Sequence, residues 1–204
     1  MEKKDPKMTM EFRADGSVRL AGYINVCERD SRPIPDPRGP FIESVAQGAF
    51  TRALERAGDG IELSLNHRRK IGQRGTNLQL REDNIGLYGD AIVSDEETVR
   101  AARNGELTGW SFRFYKIADQ WETVDGVEHR KLIDFDIDEV SILTIRPAYI
   151  ATSIEMREGE QKLAERRYQE TAQDEKPAAA NEPGIDRENI MDVYSAEIEY
   201  YSNL

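Results

Sequence analysis

Apolar and polar residues alternate with a period of two along much of this chain, as in strands that bury one face. The sharpest case is residues 108–115. Trp110, Phe112 and Phe114 fall on one side, Gly109, Ser111, Arg113 and Tyr115 on the other. Aromatic residues suit a pleated, half-buried surface, so the aromatic side is expected to face the core. The other side then presents a hydroxyl between a glycine and a cation. Asp15-Gly16 and Asp125-Gly126 sit between apolar runs and predict tight hairpins. Residues 61–65 predict a short strand that delivers Asn66-His67 to its end, and 78–80 with 87–93 predict a strand pair. In the last strand region, 130–144, strict alternation puts Phe135, Ile137, Glu139, Ser141 and Leu143 on one face, with Asp136 and Asp138 on the other.

In two places the period lengthens to that of a helix. Over 42–57, Val45, Ala49 and Ala53 share a face with Phe50 and Leu54 beside it, and Gly58 and Gly60 end the run. Ser94 with Glu97 three residues on predicts a capping box, opening a helix that stops at Asn104-Gly105. Prolines 33, 35, 37 and 40 make 29–40 an extended loop unable to pair as a central strand. Residues 156–172 are helix-prone and charged. Pro177 and Pro183-Gly184 mark 174–189 as a linker, and 191–204 is a short acidic end. The expected organisation is therefore one domain over 1–152, followed over 153–204 by a charged helix, linker and acidic tail, mobile or partner-dependent. Several strands with two intervening helices point to a mostly β fold with flanking helices, a closed barrel or a strongly curved antiparallel sheet.

The length, 204 residues, allows a real core. The net charge of −11 argues against nucleic-acid binding, and its excess lies mainly in the tail. No apolar run approaches the roughly 20 residues of a membrane span, and no secretory signal opens the chain. The single cysteine excludes an internal disulfide and fits a reducing cytosol.

Few residues offer chemistry. Cys27 beside Val26 reads as a buried, inert thiol. His129 follows a hairpin turn among charged residues and reads as solvated. His67 stands at a loop entrance, where scaffolds present functional groups. Glu139, on an otherwise apolar face, needs a partner, either an arginine in a structural pair or a histidine that it orients. Two histidines and one cysteine are too few for a zinc site, 134–138 lacks the glycine of a calcium loop, and no phosphate-loop motif occurs. No cofactor or metal is expected. A serine hydroxyl needs a base to take its proton, and that base needs a third group to fix its tautomer. Ser111, His67 and Glu139 are the candidates for these roles.

Gly22-Tyr23, Gly48-Ala49-Phe50, Asn66-His67 with Ile71-Gly72, Gly86-Leu87, the stretch from Gly105 through Gly109 and Ser111 to Phe114, Glu139-Val140-Ser141 and Pro147-Ala148 occur in an order and spacing that resembles the prohead (capsid maturation) serine proteases of tailed bacteriophages. That family is related in fold to the herpesvirus assemblins. The resemblance covers about residues 10–152. It implies an assemblin-like barrel and an endopeptidase that cuts scaffold and major capsid proteins inside assembling proheads in the host cytoplasm. His67 is then the general base, Ser111 the nucleophile and Glu139 the third member, where assemblins use a second histidine. Self-cleavage and a homo-oligomer stay open, as does the alternative of a non-catalytic assembly factor with a protease-like fold. The sequence departs from the family at Arg113, where a glycine is common. That arginine, or Arg146, is a candidate donor to the oxyanion beside backbone N–H groups. Tyr149 also stands where a smaller polar residue is common.

Overall fold

The computed structural model describes residues 8–36, 38–144, 152–157 and 160–170. In chain order the elements are β1 (Thr9–Phe12), β2 (Val18–Val26), β3 (Phe41–Val45), α1 (Ala49–Ala57), β4 (Glu62–Leu65), β5 (Arg69–Gln73), β6 (Leu78–Glu82), β7 (Gly86–Val93), α2 (Glu96–Arg103), β8 (Gly109–Val124), β9 (Val127–Leu143), β10 (Thr152–Arg157) and β11 (Glu160–Glu170). Four strands form one sheet in the order β1-β2-β7-β6. A larger sheet runs β10-β11-β8-β9-β4-β5, and β3 pairs with β9 off that path. Neither path returns to its first strand. The architecture is mostly β, with the large sheet curled into a half-barrel and not closed. These elements belong to a unit spanning Met1–Ala172. A second unit, Gln173–Leu204, holds the expected linker and acidic end, which lie outside the described residues.

Both Asp-Gly hairpins form where alternation and turn chemistry agree, as does the β6–β7 pair. Three expectations about helices are corrected. The helix expected over 42–57 begins only at Ala49. Residues 41–45 form β3, with Phe41, Glu43 and Val45 buried in alternation and paired parallel to β9. Gly48, at φ 84°, turns the chain from strand to helix. The α1 N-terminus is held from outside. Glu82 accepts from Gly48 N and Thr51 N, both at 2.7 Å, and from Thr51 Oγ1 at 2.6 Å. The second helix is capped by Asp95 rather than Ser94, its carboxylate accepting from Thr98 N at 2.9 Å. The helix expected over 156–172 is instead the strand pair β10–β11. Here the edge of β8 offers unpaired backbone groups, and pairing with it overrides a weak local preference.

The core gathers α1 against the aromatic face of β8. Phe50, Phe112, Phe114 and Phe135 are fully buried and meet edge-on or tilted, with ring centroids 5.1–6.2 Å apart. Each contributes about 1.5–3 kcal/mol through burial, so this cluster fixes the aromatic face of β8 inward. The expected facing of 110, 112 and 114 is observed; that of β9 is not. Arg113 pairs with Glu139 and Phe114 with Ile137, so Asp138 is an extra residue, a β-bulge. The bulge switches parity. Phe135 and Ile137 join Val140 and Ile142 in the core, while Glu139 and Ser141 lie on the opposite face beside Ser111.

Farther along the same hairpin the sheet buries charge. Arg130 donates to Glu165 at 2.7 and 2.8 Å, to Asp119 at 2.9 Å and to Glu43 at 3.2 Å. Arg167 donates to Glu43 at 2.5 and 2.8 Å and to Glu165 at 2.7 Å. Arg130, Arg167, Glu43 and Glu165 are all nearly inaccessible, so each needs the others. The network ties β3, β9 and β11 together and thereby clamps the strand that flanks Ser111. Arg130→Met should destabilise the fold by about 3–5 kcal/mol, because it leaves Arg167 as the one cation shared by two buried carboxylates. Urea unfolding followed by circular dichroism reads this loss, and a change below about 1 kcal/mol would show that the network is not the clamp.

Candidate active site

His67 is delivered by a strained turn between β4 and β5. Asn66 and His67 both lie in the left-handed region, at φ 54° and 55°, and Arg68 N donates to Leu65 O at 3.1 Å to close the turn. Neither residue is glycine, so the turn costs about 1–2 kcal/mol per residue and needs external anchoring. The end of β9 supplies it. Asn66 N donates to Ile142 O at 2.9 Å. The Asn66 amide exchanges bonds with Thr144, at 2.8 Å to its hydroxyl and 2.9 Å from its N–H. His67 N donates to Ser141 Oγ at 2.9 Å. Beyond the turn, the Asn77 amide accepts from Gln73 N at 2.9 Å and donates to Ile71 O at 3.2 Å. It fills the space where a Cβ on Gly72 would stand, within 1.9 Å, so that glycine admits the clamp on β5.

The strand register lays a row of small hydroxyl side chains under this imidazole. Ser64 on β4 aligns with Ser141 on β9, which aligns with Ser111 on β8. In the next row, Glu62 aligns with Glu139 and Glu139 with Arg113. The ring spans both rows. His67 Nδ1 lies 2.9 Å from Glu139 Oε1, and His67 Nε2 lies 2.7 Å from Ser111 Oγ. The structure therefore brings all three sequence-named residues together, from β4–β5, β8 and β9. Ser111 is 2% exposed, and the side chains of Glu139 and His67 are 6% and 15% exposed, so water has little access to either hydrogen bond.

Electrostatics fixes who donates. Burial of Glu139 favours its protonated form, but hydrogen bonds from His67 and Ser64 and the charges of His67 and Arg113 outweigh it, bringing the carboxyl down to about 2. An ionised carboxylate only accepts, so Nδ1 carries a ring proton, and in the neutral imidazole Nε2 is the nitrogen that accepts from the Ser111 hydroxyl. The two alternatives for Glu139 turn out to be joined. Oε1 meets the imidazole and Ser64, while Oε2 forms an ion pair with Arg113 Nη1 at 3.2 Å.

Other candidates lie elsewhere. Cys27 is buried, and its thiol donates to Glu82 Oε1 at 3.3 Å. Burial and that carboxylate push its pKa well up, against thiolate chemistry. His129 is half-buried far along β9, aligned with Glu122. The guanidinium of Arg113 is engaged by Asp138 and Glu139, which turns it away from the oxyanion role considered for it. Arg146 and Tyr149 lie outside the described residues. Sequence reasoning missed Ser64 as a partner of Glu139. The alternation of Ile61, Leu63 and Leu65, all buried, could have shown that Ser64 faces the other way.

Residues 6–168 match the family model described as Caudovirus prohead serine protease. A stretch of 134 residues is 32% identical to a protein named major capsid protein from Lactococcus phage c2, covering 64% of this chain and 26% of that protein. The chain thus spans about a quarter of that relative's length. No solved structure matches the chain.

The carboxyl of Glu139 holds its proton less tightly folded than unfolded. Its contribution to stability is therefore present above about pH 4.5 and lost as the pH falls toward about 2. The lost term is about 3 kcal/mol. Glu139→Gln should flatten the acid limb of the stability profile by about that amount, measured by urea unfolding between pH 5 and pH 2.5; an unchanged limb contradicts the assignment.

Proposed function

This chain belongs to the caudovirus prohead serine protease family, and we propose that it is itself a serine endopeptidase acting through Ser111, His67 and Glu139. The relay of 2.7 and 2.9 Å through one imidazole carries the reading. In this mechanism Ser111 Oγ attacks a peptide carbonyl while its proton passes to His67 Nε2. The tetrahedral intermediate collapses with cleavage of the C–N bond, and the imidazolium gives its proton to the leaving amine. Water then repeats the sequence on the acyl-enzyme, with His67 as base and Ser111 as leaving group. Glu139 holds the imidazole in the tautomer that accepts at Nε2 and offsets the charge it acquires. Backbone N–H groups are the donors proposed for the oxyanion. Since Ser111 is almost sealed and the imidazole is partly open, the substrate approaches from the His67 side.

The substrates proposed are scaffold and major capsid proteins, cut within assembling proheads in the host cell. Family membership supports this, as does likeness to a protein that is itself named a capsid protein. On this reading the curled sheet is an open counterpart of the assemblin barrel, the protease expected over 1–152 takes in β10 and β11 as well, and the segment beyond Ala172 serves localisation or self-cleavage. No helix among the described residues is long and apolar enough to cross a membrane.

Co-expression of the chain with phage scaffold and major capsid proteins should give Ser111-dependent fragments. Ser111→Ala should abolish them, and Glu139→Gln should slow them by about 10³–10⁴-fold. Mass spectrometry after treatment with a fluorophosphonate should find the label on Ser111. Equal processing by wild type and Ser111→Ala, or none by either, would favour a non-catalytic assembly factor that keeps the fold.

A further inference from the structure

We propose that Arg113 is a positioning residue, held by Asp138 and acting through Glu139 on the His67 imidazole. This rests on the endopeptidase reading above. Arg113 Nε and Nη2 donate to the two oxygens of Asp138 at 2.9 and 3.1 Å, a bidentate grip. Its third nitrogen, Nη1, reaches Glu139 Oε2 at 3.2 Å. The Tyr115 hydroxyl donates to Asp138 Oδ2 at 3.2 Å, steadying the outer carboxylate. A continuous chain of polar contacts thus runs from Tyr115 through Asp138, Arg113, Glu139 and His67 to Ser111.

The bulge makes this chain. In a regular strand, residues 138 and 139 would point to opposite faces. As the extra residue opposite Arg113, Asp138 turns its carboxylate to the same guanidinium that meets Glu139. The additional contact goes to the carboxylate that fixes the imidazole, and it acts in two ways. It stops the Glu139 carboxylate from rotating, which would carry Oε1 away from Nδ1. It also places a permanent cation behind the carboxylate, which weakens the pull of Glu139 on a second imidazole proton. Among the described residues, the groups facing Glu139 are His67 and Ser64 from the β4 side and Arg113 from β8, with Asp138 behind Arg113. Glu62, aligned with Glu139 on β4, is turned to Lys70 at 3.0 Å.

The test compares wild type, Arg113→Met, Asp138→Asn and the double variant on a scaffold-derived peptide across pH. Arg113→Met should lower kcat on the order of tenfold to a hundredfold with KM within about twofold, the signature of an interaction that acts on the chemical step. The acid limb of kcat/KM should move to higher pH than in wild type, because the carboxylate now favours the protonated imidazole unopposed. Asp138→Asn should give a smaller loss in the same direction, and the double variant should be no worse than Arg113→Met, since both act along one path. A second readout does not need activity. The low-field proton resonance of the imidazole N–H, identified by its loss in Glu139→Gln, should shift in folded Arg113→Met and Asp138→Asn. An unmoved resonance, or an unchanged kcat and acid limb in an active folded variant, overturns the proposal. If wild type shows no Ser111-dependent cleavage, the endopeptidase reading fails by itself, and the resonance still decides whether Arg113 holds the Glu139–His67 pair. If Arg113→Met does not fold, Asp138→Asn decides by the same two readouts.

Discussion

The pairing of β8 with β9, one residue out of step at Asp138, sets where every polar group of the site lies. Without the extra residue, the aromatic face of β8 and the carboxylate of Glu139 make incompatible demands. Phe112 and Phe114 must face the core alongside Phe135 and Ile137. Strict alternation from Ile137 would then send Glu139 inward as a bare charge among phenyl rings, at a cost of several kcal/mol. The bulge lets hydrophobic burial be complete on one face while the acid emerges on the other. The fold and the site are therefore solutions to one packing problem, and a shift of register would undo both.

Magnitudes show why the imidazole is held from β9 rather than by its own turn. Two left-handed non-glycine residues cost about 1–2 kcal/mol each. The bonds from Asn66 and His67 to Ile142, Thr144 and Ser141 contribute about 0.5–1.5 kcal/mol apiece. The two sums are comparable, so the turn has no strong preference for this shape except while docked on the end of β9. That coupling places the ring relative to Ser111 through the sheet, not through local loop stiffness. Glycine would relieve the strain at 67 but would bring no imidazole.

Much of this was legible in the chain because local signals agreed. The Asp-Gly hairpins, the aromatic face of β8 and the delivery of His67 to the end of a strand each follow from residue type and period. Ser111 and His67 could be named because few residues were competent for the chemistry. What escaped depends on partners distant in sequence. The bulge leaves no mark at Ile137-Asp138-Glu139 beyond an ordinary alternation, since only the demands of β8 create it. In the same way β3 hid inside a helical pattern, because Val45 satisfies both periods and the parallel partner in β9 makes the choice. The charged residues of β11 looked like helix because the buried arginines and glutamates that receive them lie more than thirty residues away. Ser64 went unnoticed because the alternation of Ile61, Leu63 and Leu65 gives only its facing, while its meeting with Glu139 depends on the register with β9.

The large sheet holds two clusters of buried charge, and their difference in composition separates scaffolding from chemistry. Around Arg130 and Arg167 every member is a guanidinium or a carboxylate, and each is paired with the opposite charge. Such a network can hold strands together, but it has no proton to move. Around Glu139 one of the two basic partners is an imidazole instead. Arg113 and Glu139 stay charged, so among the described residues there the proton-passing group is the His67 imidazole. Its free nitrogen faces a single hydroxyl, that of Ser111. Replacing one arginine of a structural cluster by histidine, and giving it a serine to face, is enough in principle to turn a static ion network into a proton shuttle.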